Sequence, residues 1–167
     1  MKSAPLRIPL SSAQYRILAL WFFGVMPAYA VTVIQLLNDY YGDKIDEAMG
    51  WLLSATLPTL LLIAGVVGAR AVQQAAAGGA EARVDRRFLR FALGVSLLYL
   101  LVMNGVVFFQ PVSRVSERLG PFEMLKTANL IIGPLQGLVG SVLGALFVSG
   151  KSDDEEPGSG PAGEEDG

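Results

Sequence analysis

The 167-residue chain contains no cysteine and no histidine. That absence excludes disulfides, thiol nucleophiles, and the zinc and haem ligands those side chains supply. Carboxylates are missing where membrane chemistry would need them. Four apolar blocks, Tyr15–Leu37, Trp51–Val72, Phe88–Phe109 and Ala128–Val148, hold no Asp or Glu, and their bases, Arg16, Arg70 and Arg90, lie near block ends. Without a carboxylate at depth there is no group to carry a coupled proton. No HExxH, GxSxG or phosphate-binding glycine loop occurs, and no base stands near Ser54, Thr56 or Thr59 to activate a hydroxyl. The chain therefore reads as a non-enzyme with no cofactor and no metal.

What is present is length. Each block matches the roughly 20 apolar residues that a helix needs to cross a bilayer core. None alternates with a period of two, and in lipid only helices or closed barrels satisfy the backbone. The expected fold is all-α: a polytopic membrane protein with four transmembrane helices in a bundle. The expected divisions are an N-terminal segment over 1–14, a membrane domain over 15–150, and a disordered acidic tail over 151–167. The spans are placed at about 15–37, 51–72, 88–109 and 124–149.

Charge is segregated along the chain. The tail SDDEEPGSGPAGEEDG has seven acids and no base, so the net charge of −2 conceals a basic membrane body. It has no apolar residue able to nucleate a core, and its simplest role is solvation. With both termini placed in the cytoplasm, nine Lys and Arg fall inside and four outside, the bias expected of a membrane protein in this orientation. Tyr15, Tyr40, Tyr41, Trp51 and Phe109 sit where interfacial aromatic belts are expected. A rival reading takes residues 17–30, ending in Ala-Tyr-Ala, as a signal-peptide core. The apolar run continues to Leu37, which favours an uncleaved first span.

Arg83, Arg86, Arg87 and Arg90 cluster in and beside the second loop. They read as topology determinants and as contacts for anionic lipid headgroups. The cluster has no interleaved aromatics of the kind that bind nucleic acid. The alanine-rich part of that loop is expected to be helical on both sides of Gly78–Gly79.

Prolines 27, 58 and 134 place a kink in three spans, and the hydroxyls of SATLPT (54–59) are expected to bond to the backbone that Pro58 frees. Asn104 and Gln136 are amides at membrane depth, so each is expected to face another helix. The fourth span poses a different question, because GPLQGLVGSVLG (133–144) is rich in a poor helix former. At about 100° per residue, Gly133, Gly137, Gly140 and Gly144 fall within a stripe roughly 60° wide. Asn129 projects onto the same stripe, whereas Leu138, Val139, Val142 and Leu146 point the other way, towards lipid. Small residues let helix backbones approach closely where apolar burial offers little drive. The partner is either inside the chain or another copy. Gly65 and Gly68 with their alanine neighbours, and Gly24-xxx-Ala28, offer matching small faces within it.

These features predict a small plasma-membrane protein acting as an accessory or assembly subunit through helix association. Its partners would be membrane lipids and itself or another membrane protein. Alternatives are an oligomeric pore former, similar to holins in topology alone, and a small transporter.

Overall fold

The computed structural model describes residues 7–77, 83–115 and 121–148. A short strand β1 (Arg7–Pro9) leads into helix α1 (Leu10–Leu37). A one-turn 3₁₀ helix, Gly42–Lys44, leads into α2 (Ile45–Ala77). A second strand, β2 (Arg83–Asp85), precedes α3 (Arg86–Val115), and α4 (Pro121–Val148) completes the bundle. All four helices are long and apolar enough to cross a membrane. The 28 residues of α1 and α4 span about 42 Å, more than the ~30 Å bilayer core, so their ends protrude. The acidic tail expected over 151–167 and the helix break expected at Gly78–Gly79 lie outside the described residues.

The surface is that of a protein in lipid. Phe23 is 71% exposed, Leu101 62% and Leu130 76%, all within helices. Meanwhile Thr32, Thr56, Gln35, Ser96 and Gln110 are buried. A water-soluble bundle rarely leaves broad apolar faces open.

α1 packs against α2 and α3, and α4 against the same two, so the helices run α1–α2–α4–α3 around the bundle. α1 and α3 run parallel, since Trp21 meets Tyr99, Gly24 meets Asn104 and, past the end of α1, Tyr40 meets Gln110. β1 and β2 pair antiparallel, with Arg7 opposite Asp85, Ile8 opposite Val84 and Pro9 opposite Arg83. Along the paired helices, buried residues recur every seven positions. Gln14, Trp21, Ala28 and Gln35 do so on α1, and Leu89, Ser96, Met103 and Gln110 on α3. A seven-residue repeat is the spacing of a left-handed helix seam.

Several expectations change. α1 starts five residues before Tyr15, so part of the 1–14 segment is helix. The residues before α3 form a strand, because β1 gives Arg83–Asp85 a ladder partner. Asp85 then ends the strand by capping α3, its Oδ1 accepting from the Arg87 N–H at 2.7 Å. Tyr41 and Trp51 are buried and so do not belong to an interfacial belt, whereas Tyr15 and Phe109 are exposed.

The turn after α1 explains Tyr41. The Tyr40 N–H donates to the Gln35 carbonyl at 2.9 Å and the Asp39 N–H to the Leu36 carbonyl at 3.0 Å. These are the paired bonds of a Schellman helix end. Asp39 occupies its left-handed position, with φ 53°, where glycine is usual. The reversal aims Tyr41 back under α1 and α3.

Candidate functional site

Proline removes a helix donor, so each kink leaves a carbonyl to be satisfied. In α2, Pro58 cannot bond the carbonyl of Ser54, four residues earlier. Gln136 Nε2, from α4, donates to that oxygen at 3.1 Å. The next carbonyl, of Ala55, accepts from Tyr99 Oη of α3. The SATLPT hydroxyls do other work: Ser54 Oγ donates to the Trp51 carbonyl and Thr56 Oγ1 to that of Leu52, both at 2.8 Å. The expectation that they repair the Pro58 gap is thus corrected. A hydroxyl reaches back only to its own preceding turn, whereas Gln136 enters from outside. Thr56 Oγ1 also lies 2.8 Å from Tyr29 Oη of α1.

α1 shows a related arrangement. Asn104 Nδ2 of α3 donates to the Gly24 carbonyl at 2.8 Å, three residues before Pro27, and to its own Leu100 carbonyl at 2.7 Å. The helices approach closely at Gly24. A Cβ at Gly24 would stand 2.5 Å from Leu100 Cδ1 and 3.3 Å from its Cγ. Asn104 and Gln136 therefore both face another helix, as their amides require in lipid.

At the far end of the α1–α3 seam, Tyr41 Oη lies 2.6 Å from Oε1 of Gln35 and 2.6 Å from Oε1 of Gln110. One phenolic proton cannot serve two oxygens. One of the two amides must therefore present its nitrogen, not its oxygen, to Tyr41 Oη. Tyr40 Oη donates to the Gln110 carbonyl at 2.9 Å. Burial, then the neighbouring Tyr40, push the Tyr41 phenol up to about 12 against the opposing Gln110 bond. Tyr41 is thus a neutral donor at any physiological pH.

At the ribbon end of the bundle, Arg70 Nη2 of α2 donates to the Phe147 carbonyl of α4 at 2.8 Å. A guanidinium there satisfies a last-turn carbonyl and complements the helix dipole.

These tethers set the rotation of α4, and the rotation overturns one expectation. Val139, Val142, Leu143 and Leu146 are buried against the bundle, not turned to lipid. Leu138 alone of the expected lipid-facing set is exposed. A Cβ at Gly133, Gly137, Gly140 or Gly144 would meet nothing within 4 Å. The same holds at Gly65 and Gly68. The glycines of α4 consequently form no seam inside the chain. Branched residues fill a helix interface that glycine would leave empty, and the Gln136 and Arg70 bonds hold that side inward. Asn129 is exposed near the start of the glycine face. The glycine that does pack tightly is Gly24, against α3.

Arg83, Arg86, Arg87 and Arg90 are exposed, brought together at the ribbon end by β2 and the first turns of α3. Among the described residues no three His, Cys, Asp or Glu side chains are grouped to hold a metal ion. No known protein-family model, curated protein or solved structure matches the chain.

Proposed function

We propose that the protein is a non-enzymatic accessory or assembly subunit of the plasma membrane, joined to a partner helix through the outer face of α4. The observation that carries this reading is the open glycine face from Gly133 to Gly144, where an added Cβ would meet no atom of the described residues within 4 Å. Glycine costs a helix roughly 1 kcal/mol per residue against alanine. No contact among the described residues offsets that cost. A second helix at close backbone distance would do so through dispersion and Cα–H···O contacts. The exposed Asn129 adds an amide at the head of the same face, where a partner helix would bond it. Both termini are assigned to the cytoplasm, on the excess of Lys and Arg at that side.

The test is association. Gly137→Leu or Gly140→Leu should abolish co-purification or oligomer bands in mild detergent. The fold should survive, since the added side chains enter open space. Gly94→Leu, at an equally open glycine of α3, should change nothing. Association that persists in both α4 variants would sink the reading. Reporters fused after Lys151 and inserted near Gly42 test the orientation, with activity expected only at the first.

A further inference from the structure

The two helices that leave the ribbon carry matched features. Tyr15 lies five residues after the first residue of α1, and Phe91 five residues after the first residue of α3. Both are exposed, by 67% and 54%. At 1.5 Å per residue the two rings sit at about the same level, ~7.5 Å above the ribbon. Arginines flank them: Arg16 follows Tyr15 on α1, and Arg87 and Arg90 precede Phe91 on α3, all exposed. Arg83 and Arg86 lie on the ribbon side of this level. None of these five guanidinium groups makes an ion pair or hydrogen bond among the described residues. Asp85 is the single described acid at this end, and it is engaged in capping α3.

We propose that this band is a binding site for anionic phospholipid headgroups, with Tyr15 and Phe91 at the acyl boundary and the arginines around the lipid phosphates. Three observations carry it together. An exposed tyrosine in the first turns of a span, here Tyr15, marks the depth at which a bilayer interface holds a helix, and Phe91 lies at the same level. Arginine stems lie along apolar surface while the guanidinium reaches the headgroup layer, where its fork matches phosphate. And the guanidiniums have no partner in the described fold. The acidic stretch after Ser152 offers complementary charge, but it has no feature that would place it at the depth of the two rings. The site is independent of the α4 face.

The experiment is lipid retention by the full-length protein in detergent, read by native mass spectrometry and thermal shift. Phosphatidylglycerol should be retained and should raise the melting temperature, and phosphatidylcholine should do neither. Each base near an anionic surface contributes roughly a fivefold factor. The double variant Arg87→Gln/Arg90→Gln should therefore lower phosphatidylglycerol retention by about 25-fold. Should that variant fail to insert, the wild-type preference should still decline as ionic strength rises. Equal retention of both lipids, or a salt-independent preference, overturns the proposal. Inorganic phosphate that stabilises as well as phosphatidylglycerol overturns it in favour of a free-anion site. A preference that appears only after truncation before Ser152 assigns the arginines to the acidic tail and also overturns it.

Discussion

Gln136 of α4 donates to the Ser54 carbonyl of α2 at 3.1 Å, supplying the bond that Pro58 denies to its own helix. In lipid there is no water to take that role, so a kink in one span depends on an amide in another. The pair couples local backbone chemistry to the placement of α4.

A double-mutant cycle measures that coupling. Gln136→Leu should destabilise the protein by about 0.5–1.5 kcal/mol, the range found for interhelical bonds in membranes. In a Pro58→Ala background the helix can bond Ser54 itself, and Gln136→Leu should then cost markedly less. Unfolding by a denaturing detergent in mixed micelles gives the free energies. Purely additive effects would mean that the amide does not substitute for the missing donor.

Gly24 tests the close approach of α1 and α3. Gly24→Val places a branched Cβ against Leu100 and should cost about 1–3 kcal/mol through overpacking. Gly24→Ala should cost less, because Leu100 Cδ1 is the free end of a side chain that can swing aside. Gly105→Val, at a position with open space, serves as the comparison. A Gly24→Val protein that melts with the wild type would show that the helices are not held this close.

Asp39 predicts a gain. An aspartate at φ 53° carries part of the left-handed penalty of about 1–2 kcal/mol per residue. Asp39→Gly should raise stability by up to about 1 kcal/mol, with the Schellman bonds preserved. Thermal melting of the purified protein decides it, and a lower melting temperature would refute the strain argument.

The Tyr41 phenol gives a pH signature. Its folded pKa, about 12, lies above the ordinary 10. A raised value in the folded state means that the fold favours the protonated form. This contribution is complete below pH 10 and disappears as pH rises through 12. The stability difference between wild type and Tyr41→Phe should accordingly be constant below pH 10 and shrink above it. A difference that stays flat to pH 12 would place Tyr41 in water rather than between Gln35 and Gln110.

Some of this was legible without coordinates. Asn104 and Gln136 could be assigned helix partners, because an amide in lipid has few alternatives to another backbone. Which carbonyl each would reach was not legible, since Gly24 and Ser54 lie 80 and 82 residues away in sequence. The sense of α4 was misread. Its spacing placed the four glycines on one stripe, but both sides of the helix are apolar, and hydropathy alone does not say which side turns inward. The ribbon was hidden for another reason: Arg7–Pro9 and Arg83–Asp85 are too short and polar to show a strand period, and each depends on the other for its ladder. Tyr41 was expected at the interface because an aromatic after a span usually sits there, and only the left-handed Asp39 turns it inward.

From sequence alone follow the four spans, the charge asymmetry and the lack of ionisable groups at span centres. These depend on composition over windows as long as the bilayer is thick, and no distant contact can alter them. Tertiary structure alone decided which face of α4 is left open, which carbonyl each amide reaches, and that Gln35, Tyr41 and Gln110 meet. Those outcomes depend on the rotation of helices that are apolar all round. In such helices the hydrophobic signal is nearly symmetric, and side-chain volume and a few interhelical hydrogen bonds choose the angle.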